Sequence, residues 1–183
     1  MFTPSLQTYV SSITLKNPVI AGSAEHLIDA EGVRSALRAG VGAVVVKSTN
    51  ESQAARDQLQ QAEYMLLDEN WHPIPWEAGA PGSAFIACRS GLTPQSFDVW
   101  LEQTSLLDQE AKEYDSFVIA SIILSDLDRA VEMARCIEAE GIRILELNIG
   151  TPYASQSAKG AVTTELLPER VAEIGRASCR ERV

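Results

Sequence analysis

The strongest pattern along the chain is a series of short apolar runs, each followed by a segment with helical spacing. Gly42-Ala43-Val44-Val45-Val46 is aliphatic at every position and predicts a strand covered on both faces, as in a parallel sheet. Phe117 to Leu124 reads the same way, and Ile142 to Leu147 predicts a further strand ending in Asn148. Val19 to Ala21 predicts a shorter buried strand after Pro18, closed by the small residues Gly22 and Ser23. Between these runs lie helical patterns. Asp29 to Ala39 carries Val33, Ala36 and Leu37 on one stripe and has Gly40 as its C-terminal cap. Pro94 to Tyr114 predicts a helix burying Phe97, Trp100, Leu101 and Leu107. Leu127, Ala130, Val131, Ala134 and Ile137 form the inner stripe of a third helix, opened by a capping box at Ser125 and Asp128 and closed by Gly141. Cys136 is read as sitting on a helical apolar stripe and is expected in the core. Glu165 to Ala172 begins another helix.

Residues 51–81 interrupt the rhythm. Glu51 to Leu67 is expected to be partly helical, Trp71 to Trp76 is not, and Ser83 to Ala87 allows a short strand. A segment of this length is expected to form a lid or partner surface, with Trp71 and Trp76 as its aromatic groups and His72 as a solvated loop residue. The predicted order is thus β-α-β-insertion-α-β-α-β-α, an alternation that implies parallel strands with right-handed crossovers. Gly40 to Lys47 and Gly141 to Asn148 repeat one course from helix cap through aliphatic strand to polar residue. This fits equivalent βα units of a (β/α)8 barrel, of which four strands are half. A doubly wound open sheet is the alternative, and the lack of a G-x-G-x-x-G after a strand disfavours its dinucleotide-binding form.

Composition narrows the class. The chain has 183 residues, 45% hydrophobic and 22% charged, with a formal net charge of −10. No run reaches the ~18–20 apolar residues of a membrane span, and no secretory signal opens the sequence, so a cytoplasmic location is the default. The acidic balance disfavours nucleic acid as a partner. Cys88, Cys136 and Cys179 show no C-x-x-C spacing, and no metal site is expected. Residues 173–183 can be written in codons similar to a common sequencing adapter. They are expected not to be biological protein, which leaves 1–172 as a partial barrel domain.

In a barrel, chemistry collects at the C-terminal ends of strands. Those ends carry Gly22-Ser23, Lys47-Ser48, the Ser121 region, and Glu146 with Asn148-Ile149-Gly150-Thr151-Pro152. Small residues let a flat ring approach the backbone, a Lys ending a buried strand calls for an anion or snorkels to solvent, and an Asn offers both donor and acceptor. Together they suit a planar heterocycle with imide edges, such as a flavin or a pyrimidine.

These residues, Leu15-Lys16-Asn17-Pro18 through Ser23, Lys47-Ser48 and Glu146 to Pro152, resemble the dihydroorotate dehydrogenase family, mostly its soluble branch, which is similar to the pyrimidine-reducing domain of dihydropyrimidine dehydrogenase. The resemblance covers most of residues 6–172. It implies the N-terminal half of a (β/α)8 barrel that binds FMN and moves a hydride between flavin and a dihydropyrimidine-like substrate. Gly22, Ser23, Lys47, Ser48 and Asn148 would bind the cofactor. Asn148, with Gly91 and Leu92 of the substrate loop, would bind the small heterocyclic substrate. Lys47 would also stabilise the reduced ring. Where the family has a Cys or Ser base this chain has Thr151, the candidate for proton transfer, and Tyr153 replaces the Asn that follows. Cys88 is read as an ordinary loop or core cysteine, with a displaced base as the alternative. The intact parent is expected to be a homo-oligomer, with an electron-transfer subunit as an optional partner. Two other readings remain: a dihydrouridine synthase-like enzyme, and a flavin-less barrel serving as a binding or assembly subunit. A half barrel leaves sheet edges unpaired, so self-association of this chain is expected.

Overall fold

The computed structural model of the chain describes residues 5–50, 64–76, 79–88, 93–123 and 127–148. Its centre is a four-stranded parallel sheet. The chain enters through an antiparallel hairpin, β1 (Thr8–Val10) and β2 (Ile13–Leu15), then forms β3 (Ile20–Ala21), a 3-10 turn (Glu25–Leu27), α1 (Ala30–Arg38) and β4 (Ala43–Val45). After an antiparallel unit of β5 (Tyr64–Leu67), β6 (Pro73–Ile74) and β7 (Phe85–Cys88) come α2 (Phe97–Ala111), a 3-10 turn (Lys112–Tyr114), β8 (Phe117–Ile123), α3 (Leu127–Ala139) and β9 (Ile144–Asn148). The parallel sheet runs β3-β4-β8-β9, and the smaller sheet β6-β5-β7. Among the described residues no helix is long and apolar enough to cross a membrane.

Each βα unit follows from local chemistry. The Asp29 side chain accepts from the Gly32 N–H at 2.8 Å and caps α1. Val33 and Leu37, one turn apart, bury the helix's inner stripe. Gly40 and Gly141 both adopt positive φ, +91° and +80°, after their helices, so the repeated course seen in the sequence has a common backbone cause. Gly42 is needed for a different reason. A Cβ there would lie 2.3 Å from the Asn17 carbonyl oxygen. Asn17 donates to the Gly40 carbonyl at 2.9 Å and accepts from the Val19 N–H at 3.1 Å, so the Asn17-Pro18 segment is sewn to the turn that feeds β4.

The two faces of the sheet are packed by different partners. Val44, Val118, Ala120 and Ile122 join Leu37, Trp100, Leu107, Met133 and Ile137 in the helix-side core. Ala43, Val45 and Ile119 pack instead with Leu15 of the entry hairpin, and with the half-buried Ile13, Phe117 and Ile144. Burial on both faces is why β4 and β8 read as unbroken aliphatic runs. Behind β8, the buried Asp108 of α2 accepts from the Val118 N–H at 3.3 Å. Across the helices, Arg34 of α1 grips Glu110 of α2 through two 2.7 Å hydrogen bonds.

Several sequence expectations are corrected. Val19 and Ile20 are not buried. They are 55% and 42% exposed, because β3 is an edge of the described sheet. Tyr64–Leu67, expected within a partly helical stretch, is a strand paired with β6 and β7. Its turn is built by Asp68, whose Oδ1 accepts from the Asn70 and His72 N–H groups at 2.8 and 2.9 Å. Those amides, chiefly that of His72, hold the Asp68 carboxyl below its usual range. Trp71 sits in the left-handed region at φ +65° and stacks on Phe85 with centroids 5.6 Å apart. The second helix starts at Phe97 rather than Pro94 and tightens into a 3-10 turn at Lys112. Phe97 and Leu101 are only half-buried. In α3 the inner stripe is rotated toward Met133, leaving Val131 and Ala134 half-buried. Cys136 is exposed, not core, since one step along a helix turns the side chain by about 100° from buried Ile137. The Ser125 cap, the helix at 165–172 and residues 173–183 lie outside the described residues.

Two outcomes follow. Gly42→Ala should destabilise by about 1–3 kcal/mol in denaturant melts, because the obstructing atom is backbone. The Arg34 hydrogen bond, and then its charge, hold the Glu110 carboxyl below its ordinary 4.5 despite burial acting the other way. A depressed carboxylate pKa stabilises above the unfolded value and loses that contribution as pH falls through the folded one. Glu110→Gln should therefore lower the midpoint modestly at pH 7. Its gap to wild type should close on the acid side of about pH 4.5.

Candidate functional site

The C-terminal end of β4 departs from regular pairing. Val45 pairs with Ile119 and Thr49 with Ile122, so four steps on one strand meet three on the other. The ladder agrees: the Val46 N–H reaches the Ile119 carbonyl, but it is Thr49, not Ser48, whose N–H reaches the Ser121 carbonyl. One extra residue between Val46 and Thr49 makes a bulge, which re-aims side chains beyond it. Two carbonyls in this stretch are taken up by other segments. The Trp100 indole N–H donates to the Lys47 carbonyl at 2.9 Å, and the Thr93 N–H to the Ser48 carbonyl at 2.9 Å.

The bulge gives the strand end its chemistry. Strict alternation would put Ser48 on the helix side with Val44 and Val46. Instead its hydroxyl lies 2.8 Å from the Ser121 hydroxyl, which donates to Glu146 Oε1 at 2.6 Å. Ser121 and Glu146 are register partners, two residues beyond the apolar pair Ile119 and Ile144 on the inner face. That face therefore changes from an apolar layer to a hydrogen-bonded polar one along the strand direction.

Lys47 is 4% exposed. Its ammonium pairs with Glu25 Oε1 at 2.7 Å, and the phenol of Tyr64 donates to Glu25 Oε2 at 2.6 Å. Of the two alternatives for this lysine, an anionic partner or a path to solvent, the structure has the first: a carboxylate from the neighbouring β3–α1 connection compensates the charge inside. Thr49 stands opposite Ile122, a helix-side core residue, and its fully buried hydroxyl has no hydrogen-bond partner among the described residues.

Strand order puts the ends of β3, β4, β8 and β9 side by side, so Gly22-Ser23, Lys47-Ser48, Ser121 and Asn148 follow one another along one edge of the sheet. Gly22 is exposed, with nothing within 4 Å of where a Cβ would sit. Asn148 is half-buried opposite Ile123. Thr151, Gly91 and Leu92 lie outside the described residues. Cys88 ends β7 opposite Tyr64 in the smaller sheet, and its side chain is outside the description. The sequence reading missed Glu25 and Tyr64. A signal for Glu25 existed, since a buried ammonium needs an anion and Glu25 stands three residues past Gly22 on the adjacent strand's connection. Tyr64 had none, because its place depends on how the insertion folds back. Among the described residues no group of three or more His, Cys, Asp or Glu is placed to hold a metal ion.

No protein-family model matches this chain, and neither does any curated protein.

The two buried hydroxyls give opposite expectations. Ser121→Ala breaks the Ser48–Ser121–Glu146 chain and should cost about 1–3 kcal/mol. Thr49→Val removes a hydroxyl without a described partner and should stabilise by about 1 kcal/mol. Urea midpoints of the two variants against wild type check both signs.

Proposed function

We propose that the chain belongs to an FMN-dependent (β/α)8-barrel oxidoreductase of the dihydroorotate dehydrogenase type, acting between flavin and a dihydropyrimidine-like ring. One observation carries the reading: an ammonium buried at the bulged end of a central parallel strand, in a row of polar groups along the sheet's C-terminal edge. Ligands of α/β barrels bind at that edge. The two βα units with the same glycine-to-polar course support a barrel over an open sheet.

The donor set fits the cofactor's ring. Lys47, Ser48 and Asn148 place an ammonium, a hydroxyl and an amide along one edge, and nothing lies within 4 Å of where a Cβ of Gly22 would sit. The cleft walled by Leu27, Val33, Val46, Lys47 and Trp100 has a cavity volume of only about 10 Å³. That is below the roughly 300–1,000 Å³ usual for a ligand pocket, so the ring would lie over the strand ends rather than inside the cleft. FMN, when bound, supplies the hydride acceptor. Lys47 would hold positive charge against the ring's electron-rich edge, Ser48 would extend that contact, and Asn148 would read the substrate's imide. Thr151 is the candidate to move the substrate proton.

One observation favours the second reading, a flavin-less binding subunit: Lys47 already has a counter-ion in Glu25. The purified protein's visible spectrum separates the two. Flavin absorption released on denaturation and identified as FMN is the expected result. Lys47→Met should then weaken FMN binding roughly tenfold or more, the scale of one charge-assisted hydrogen bond. A colourless protein that takes up no added FMN would leave the binding-subunit reading.

A further inference from the structure

We infer that the outer face of α2 is a docking groove for a basic amphipathic helix of a partner protein, built from an apolar floor and three carboxylates that have no cationic partner among the described residues. The groove shares no residue with the polar row at the strand ends, so the inference stands or falls apart from the flavin reading.

The apolar residues of α2 are not confined to its sheet-facing stripe. Trp100, Leu107 and Ala111 are in the core, but Val99 and Leu106 are each 52% exposed. Asp98, Leu101, Glu102, Ser105 and Leu106 stand three and four residues apart on one face. With Glu140, just past α3, they line a groove whose cavity volume is about 410 Å³. That is within the roughly 300–1,000 Å³ of a ligand pocket. Leu101 and Leu106 supply the apolar floor. Ser105, 6% exposed, lines the same wall. The neighbouring Thr104 hydroxyl donates to the Trp100 carbonyl at 2.7 Å, whereas that of Ser105 has no hydrogen-bond partner among the described residues. The nearby basic side chains are engaged elsewhere: Arg34 pairs with Glu110, and Lys112 and Arg143 with Asp108. Asp98, Glu102 and Glu140 enter no ion pair among the described residues.

The shape and charge together select the occupant. Asp98 and Gln109, at the two ends of the lining, stand about 16 Å apart along α2 at ~1.5 Å per residue. A helix of roughly three turns covers that length. Its apolar residues at i, i+3, i+4 and i+7 would meet Leu101 and Leu106, and flanking lysines or arginines would meet the carboxylates. A second copy of this chain would bring a formal charge of −10 to an acidic groove and is opposed by it. A small polycation would answer the carboxylates but leave Leu106 in water.

The test is fluorescence anisotropy of a labelled peptide on the purified protein. The probe is a helix-forming peptide of roughly 15 residues, with leucines at i, i+3, i+4 and i+7 flanked by lysines. Its counterpart has glutamate at every lysine position. Wild type is expected to bind the lysine peptide about tenfold or more tightly than the glutamate peptide. Glu102→Lys is expected to weaken the lysine peptide about tenfold, and Leu106→Ser about fivefold. Glu113→Lys, the same charge change at an exposed position outside the groove, is expected to leave binding within about twofold. Circular dichroism checks the fold of each variant, and Asp98→Lys or Glu140→Lys replaces Glu102→Lys if that variant does not fold. Absence of binding, an equal loss in Glu113→Lys and Glu102→Lys, or unchanged binding in Leu106→Ser overturns the inference. Displacement of the peptide by an equal concentration of spermine also overturns it, in favour of a small polycation.

Discussion

Taking an ammonium out of water costs several kcal/mol unless a counter-ion goes with it, and the end of β4 is organised by that cost. Lys47 is buried because the strand carrying it is the second in the sheet, flanked by β3 and β8 and covered by helices on one side. Its counter-ion cannot come from β4, so the β3–α1 connection must bring Glu25 to it, and β5 must bring Tyr64 to Glu25. The backbone at Lys47 and Ser48 needs partners as well, which α2's Trp100 and the segment before that helix supply. Four separate stretches of chain thus meet at one charged side chain and its neighbouring carbonyls.

The sheet's two faces explain why the polar layer can exist there. On the helix side the alternating positions of β4 and β8 stay apolar to the strand ends and pack continuously against α1, α2 and α3. On the inner side the apolar layer is short, closed below by Leu15, and gives way to Ser121 and Glu146. A bulge of one residue moves Ser48 into this layer. Without it the hydroxyl would be directed into the aliphatic core, where a buried polar group without a partner is costly. Thr49, just past the bulge and opposite Ile122, is in that situation.

How much of this was legible follows from how local each cause is. The helix from Asp29, its Gly40 stop and the aliphatic strands β4 and β8 are written in adjacent residues, and the structure places them within a residue or two of the expected bounds. Exposure of Val19 and Ile20 depends on which strand lies beyond β3, which no window around them contains. Tyr64-Met65-Leu66-Leu67 is a short apolar run, and periodicity alone cannot tell a strand from a helix at that length. Cys136 was misplaced by one helical step. At the site, Lys47 and Ser48 were visible because a lysine ends an aliphatic strand. The inward turn of Ser48 was not, since alternation has no means of registering an extra residue.

Lys47 and Glu25 can also be judged as a stability device, and on that ground the pair is hard to justify. Buried ion pairs recover at best about what their desolvation costs, and apolar side chains of similar volume often serve the fold as well or better. The positions before Lys47 are aliphatic already, Val44, Val45 and Val46, so a fourth apolar residue would have extended the core without needing Glu25 or Tyr64. The charge also stands at the C-terminal edge of the sheet, the end at which α/β barrels bind their ligands. A costly polar group gathered there with a bulge and a hydroxyl chain is not accounted for by stability, and that is the physical ground on which a ligand is proposed at this edge.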